Sequence, residues 1–212
     1  MRDDLILGGT KRRLIPQFLN DADEFVYASP AYGYAQVALA YACAERGVRA
    51  TIFTAKRRNP HPLTLEAKAA GARILMVPYG YLSVVQSRAR KYCDEVGARL
   101  LPFGLDFDGF INGIAEIAGR IKKSPDEVWS VAGSGTLQRG LQRAWPYAEF
   151  HAVQIGKKPD VGSATLYVAP EKFEDPAKLP PPFPSCPQYD AKAWRFMRKH
   201  AKEGAFFWNV AK

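Results

Sequence analysis

The residues best suited to chemistry lie in three short segments. The first is Gly133-Ser134-Gly135-Thr136-Leu137, where a strand pattern runs into a glycine-rich turn that opens a helix. Backbone N–H groups and the helix dipole at such a turn suit a phosphate, and Ser134 and Thr136 add hydroxyl donors. The segment lacks the Gly-Lys-Ser/Thr ending of a P-loop and the full GxGxxG spacing of a dinucleotide turn. A tight β–α turn without a ligand is therefore the alternative. The second segment is Gly8-Gly9-Thr10-Lys11-Arg12-Arg13. Here Lys11 is either one member of a solvated charge run or an amine whose pKa the neighbouring cations lower, giving the neutral form that Schiff-base chemistry requires. The third is Ser29-Pro30-Ala31-Tyr32-Gly33-Tyr34-Ala35-Gln36, a small-residue turn that either binds an anion at a helix start or simply connects.

Other reactive types offer less. His61, His151 and His200 have no ligand spacing, so surface or strand positions are expected and no metal site is. Cys43, Cys93 and Cys186 are odd in number, far apart and without a CxxC pair, which argues against a disulfide scaffold or a structural zinc. Asp106 and Asp108 flank Phe107 in what reads as a turn.

These segments need elements to hold them, and the chain supplies a regular alternation. Strands are predicted over 24–28, 50–54, 73–77, 99–102, 128–132, 150–155 and 205–210. Helices are predicted over 34–46, 63–70, 84–96, 111–122, 137–144 and 191–202, several closed by a glycine at the cap position. Short loops between them imply one mostly parallel sheet, or two. From Asp160 the texture changes: Pro176, Pro180, Pro181, Pro182, Pro184 and Pro187 crowd a stretch that reads as an ordered crossing or a lid, neither helix nor central strand.

The 212 residues are 47% hydrophobic and 24% charged, which excludes a disordered chain and allows a real core. No apolar run reaches the roughly 18 residues of a membrane span. Met1-Arg2-Asp3-Asp4 carries acids and no apolar stretch, so no secretory signal is expected, and the cysteine usage fits a reducing cytoplasm. The net charge of +9 favours polyanionic partners.

Taken in order, the segments resemble the fold-type II pyridoxal-phosphate enzymes, nearest to the branch of aminocyclopropane-carboxylate deaminase and D-cysteine desulfhydrase. Arg2-Asp3-Asp4-Leu5 followed by Gly8 to Arg13 is similar to that branch's REDL…GGNKxRK segment. Ser29 to Gly33 falls at its SxNH or SGNHG loop, followed by the same alanine-rich helix. Lys68, Gly71-Ala72 and Pro78 match its GA…P strand, Gly133 to Leu137 its GSGGT phosphate cup, and Tyr189-Asp190-Ala191-Lys192-Ala193 its YTGKA segment.

The resemblance implies an α/β, tryptophan-synthase-β-like architecture in two lobes. Residues 1–25 plus 104–212 would form a larger cofactor-binding lobe and 26–103 a smaller one. Lys11 would carry pyridoxal phosphate as a Schiff base and shuttle the proton at the substrate α-carbon. Gly133, Ser134, Gly135, Thr136 and Leu137 would hold the cofactor phosphate. Ser29, Ala31, Tyr32, Gly33 and Tyr34 would face the substrate. The chain departs from the pattern where the family asparagine over the ring hydroxyl gives way near Ala31 or Tyr32. It departs again where the last strand lacks TGG and leaves Asn209 as the polar group for the ring nitrogen. The family also implies a homodimer.

The chain is much shorter than a typical member, which implies an open cleft that Tyr32, Tyr34, Tyr79, Tyr81, Trp194 and Trp208 could line or rim, with Arg12, Arg13, Lys56, Arg57 and Arg58 near them in sequence. A trimmed, basic pyridoxal enzyme suggests an amino acid carried on DNA. Bacteriophage thymidine hypermodification, in which pyridoxal-dependent decarboxylases act on amino acids attached to a pyrimidine, is the family-level precedent; the site would then be a host's cytoplasm. The alternatives are a free amino-acid deaminase or desulfhydrase, an inactive phosphate- or nucleic-acid-binding version of the fold, and a phosphoribosyl-type transferase. The last lacks the acidic pair expected just before its phosphate loop.

Overall fold

Short runs of β-branched and aromatic residues form parallel strands, and the helices between them carry the chain back for the next strand. In a computed structural model, which describes residues 1–78 and 80–211, these elements form two compact units: Ile6–Phe103, and Met1–Leu5 together with the chain from Gly104 onward.

In the first unit, β1 (Glu24–Ala28), α1 (Ala35–Arg46), β2 (Arg49–Ala55), α2 (Pro62–Ala69), β3 (Arg73–Val77), α3 (Leu82–Val96) and β4 (Arg99–Leu100) follow one another. The sheet is parallel throughout, in the order β3-β2-β1-β4. Strand β1 is buried along its whole length because it lies inside the sheet. Val26, Ala28, Phe53, Val77, Val85 and Ala89 form a core between the sheet and α3. Each fully buried valine or phenylalanine among them stabilises by roughly 1.5–3 kcal/mol.

The second unit contains α4 (Asp108–Gly119), β5 (Glu127–Ala132), α5 (Thr136–Ala144), β6 (Glu149–Gln154), β7 (Thr165–Val168), α6 (Trp194–His200) and β8 (Phe206–Phe207). Its sheet is also parallel, in the order β7-β6-β5-β8. Trp129, Val131, Val153, Ile155, Ala193 and Met197 make its main core.

Three sequence expectations change. Residues 165–168 form an edge strand, β7, inside the stretch read as irregular; an edge position tolerates so short a strand. The proline-rich chain beyond it carries no strand or helix up to Asp190. The helix expected over 191–202 is a 3₁₀ turn, Asp190–Ala193, leading into the seven-residue α6. The last strand keeps only Phe206–Phe207, and Asn209 forms an isolated parallel bridge to Arg2. No described helix is long and apolar enough to cross a membrane.

Candidate functional site

In the second unit, the turn between β5 and α5 is shaped by close backbone approaches. Gly135 has φ +89°, and a Cβ there would sit 1.6 Å from the Asp160 carbonyl oxygen, so neither the conformation nor the space admits a side chain. Gly104 packs against Ser134, and Gly133 lies beneath the Tyr189 hydroxyl. Ser134 Oγ and Thr136 Oγ1 are 2.9 Å apart. The first N–H groups of α5 receive no side-chain cap from Gly135, and Thr136 N lies a long 3.5 Å from Ser134 Oγ. Arg139, one turn into α5, pairs with Asp106 and lies 3.5 Å from Asp160, which ties both flanking loops to the helix. Gln142 Nε2 donates to Val161 O (2.7 Å). The product is a braced turn whose donors are backbone N–H groups and the Ser134 and Thr136 hydroxyls. That donor set fits a phosphate dianion.

In the first unit, Lys11 lies on a 3₁₀ turn, Gly9–Arg13, and is half-buried. Gly8, at φ +85°, seats this turn on α1; a Cβ there would fall 2.6 Å from Ala38 Cα. Arg12 pairs with Glu45 of α1, so one of the two arginines beside Lys11 is committed to an acid. The Ser29–Tyr34 turn opens the same helix. Gln36, fully buried, gathers it from inside: its Nε2 donates to Ala31 O (2.9 Å) and Gly33 O (3.1 Å), and its Oε1 accepts from Thr64 of α2 (3.0 Å). Ser29 is buried and donates to Pro30 O. The Tyr32 ring packs at 4.3 Å on His61, tilted by 55°, with the Arg57 guanidinium 5.4 Å from its ring centre. Helix α1 thus organises both the lysine turn and the expected substrate turn.

Other expected residues fall elsewhere. Asn209 is buried, its Nδ2 donating to Pro184 O (2.7 Å) and its Oδ1 accepting from Ser185 Oγ (2.9 Å). It also bonds Asp4, whose carboxyl is held below its ordinary pKa, first by Arg2 and more weakly by this amide. Trp208 does not rim any opening: it is fully buried, and its indole N–H donates to Asp3 Oδ2 (3.2 Å), which seats it in the second unit's core. Tyr81 is 87% exposed and Trp194 half-buried, while Tyr79 lies outside the described residues.

Two features were missed from sequence. By sequence Gln36 is only the end of a small-residue turn, although a lone glutamine among the apolar residues of an alanine-rich helix is a usable signal. Glu127, Glu149 and His151 come together at the start of β5 and β6. The signal was a shared Glu-x-aromatic opening, Glu127-Val128-Trp129 and Glu149-Phe150-His151, which parallel register places side by side.

No protein-family model matches the sequence, and no curated protein matches it significantly. Solved structures do match. An ACC deaminase homologue aligns over 99% of this chain and 82% of its own, with 16% identity and a TM-score of 0.81. Diaminopropionate ammonia lyase of Escherichia coli aligns over 97% of this chain and 74% of its own (15% identity, TM-score 0.64). Threonine deaminase isoform 2 of Solanum lycopersicum aligns over 73% of this chain but only 45% of its own (19% identity, TM-score 0.61). With two parallel four-stranded sheets in this order of elements, the chain has the architecture of the fold-type II pyridoxal-phosphate enzymes, in a shortened form.

Proposed function

We propose that the protein is a pyridoxal-phosphate-dependent lyase acting at the α-carbon of an amino-acid group. The observation that carries this reading is the glycine cradle at the start of α5, whose backbone and hydroxyl donors suit a phosphate in the fold where such a group is expected. In this reading residues 1–25 plus 104–212 form the cofactor-binding lobe and residues 26–103 the smaller one. Gly133, Ser134, Gly135, Thr136 and Leu137 hold the cofactor phosphate, and the bound cofactor supplies an electron sink for a carbanion. Lys11 anchors the cofactor covalently, and its Nζ takes and returns the proton at the substrate Cα. Ser29, Ala31, Tyr32, Gly33 and Tyr34 orient the substrate carboxylate against the start of α1. Asn209 would be the polar group for the ring nitrogen, although its buried amide is already shared with Pro184 and Ser185.

Decarboxylation and deamination remain two forms of this chemistry. The names of the structural neighbours favour a free amino acid. The net charge of +9 favours one carried on a polyanion such as a modified DNA base. Salt-dependent binding to duplex or single-stranded DNA, with turnover of the bound amino acid, supports the second; turnover of free amino acids without DNA binding supports the first. A homodimer is the assembly expected of this fold.

The test of the reading itself is a spectrum. Purified protein given pyridoxal phosphate should develop the visible absorbance of a lysine-bound cofactor, and Lys11→Ala should abolish it while the fold persists by circular dichroism. A colourless wild-type protein that ignores the added cofactor overturns it.

A further inference from the structure

The N-terminal ends of β5 and β6 carry chemistry that the phosphate cradle does not use. Parallel register sets Glu127 beside Glu149 and Trp129 beside His151. The Trp129 ring stacks on the His151 ring at 4.3 Å and 11°, which fixes the imidazole in place. Tyr167 of β7 puts its hydroxyl 3.3 Å from His151 Nδ1. In the tautomer with the proton on Nδ1, the Tyr167 oxygen accepts that proton and Nε2 keeps a lone pair for a metal. His151 is only 6% exposed, and its Nε2 is buried without a hydrogen bond. It faces Glu149 Oε1 at 3.2 Å without completing one.

Two ligands of one tetrahedral zinc, each about 2.0–2.2 Å from the metal, stand roughly 3.3–3.6 Å apart, close to this separation. Ligand atoms of Glu127, Glu149 and His151 all lie within 4.8 Å of one another. Glu127 is buried, accepting from the Trp129 indole N–H and the Lys202 amide N–H. A cationic group already sits against the acids: the Lys202 ammonium contacts Glu149 Oε2 and lies 3.9 Å from Glu127 Oε2. Its side chain is 69% exposed and can swing into water.

We propose that Glu127, Glu149 and His151 form a binding site for a divalent transition-metal ion of the zinc class, in which the metal replaces the Lys202 ammonium and closes the strand-start edge of the β5–β6 pair. One imidazole nitrogen and two carboxylates make a donor set of borderline hardness, suited to zinc rather than to calcium or magnesium. The site is independent of the cofactor chemistry proposed above.

Calorimetric titration of zinc chloride into the full chain tests it. Wild-type protein should bind one equivalent. His151→Gln and Glu149→Gln should each weaken binding at least tenfold, and Lys202→Met should strengthen it at least threefold by removing the competing cation. Glu149 is about half exposed, so its variant should fold even where the His151 variant does not. No zinc binding, binding unchanged in Glu149→Gln, or weaker binding in Lys202→Met would show an internal salt-bridge network instead.

Discussion

The two ends of the β5–β6 pair present opposite chemistry. After the last residues of β5, glycines at 133 and 135 leave backbone N–H groups and two hydroxyls. At the first residues of β5 and β6, the chain crowds two carboxylates, an imidazole and an ammonium. The two ends are roughly 20 Å apart along a six-residue strand. Donor-rich backbone at a helix start selects anions, and converging side-chain acceptors select cations. One kind of site is thus made by removing side chains and the other by adding them, and each fails under a different kind of substitution.

The largest expected effect follows from that distinction. Gly135→Ala should cost about 3 kcal/mol or more, since the new methyl meets the Asp160 carbonyl and the left-handed backbone is strained. Pyridoxal-phosphate binding should be lost with it. Thermal melts and a spectral titration of the cofactor check both.

Removing the hydroxyls should do less. Ser134→Ala or Thr136→Ala deletes one donor to a charged acceptor, worth about 1.5 kcal/mol or more, so cofactor affinity should fall about tenfold or more with little change in melting. A hydroxyl deletion that abolishes binding while Gly135→Ala retains it would reverse the assignment of the site to the backbone.

The smallest effect concerns a helix start that is already satisfied. Helix α2 opens with His61 Nδ1 accepting from Leu63 N at 3.2 Å, which requires a neutral ring. Burial, and then Arg57, holds the His61 pKa below its ordinary value of 6.5. A folded pKa beneath the unfolded one makes the cap fully stabilising above that ordinary value and removes it as pH falls through the lower, folded one. The cap is worth no more than about 1 kcal/mol. The melting difference between wild type and His61→Ala should therefore be constant above neutrality and shrink in acid; a difference that persists in acid contradicts the cap.

The same contrast explains what could be read from sequence. The strand–turn–helix at Gly133–Leu137 was legible because it is local: a strand, two glycines, two hydroxyls and a helix start stand within a few residues. The order of strands and helices was legible through Gly47 and Gly97, which close α1 and α3 as expected. The acid–imidazole cluster was not, because parallel register between strands 22 residues apart (127 and 149) assembles it. Trp208 was misplaced because an aromatic residue near a chain of other aromatics reads alike whether it rims an opening or fills a core. Its partner Asp3 is distant in sequence. Strand β7 escaped notice because four residues beginning with an exposed threonine give too little alternation to read.

The central claim is that the Lys11 amine carries the cofactor aldehyde. Borohydride reduction of the protein loaded with pyridoxal phosphate, followed by digestion and peptide mass mapping, tests it most directly. The account predicts one pyridoxyl group, on the peptide containing Lys11. A group on any other lysine, or none at all, would contradict it.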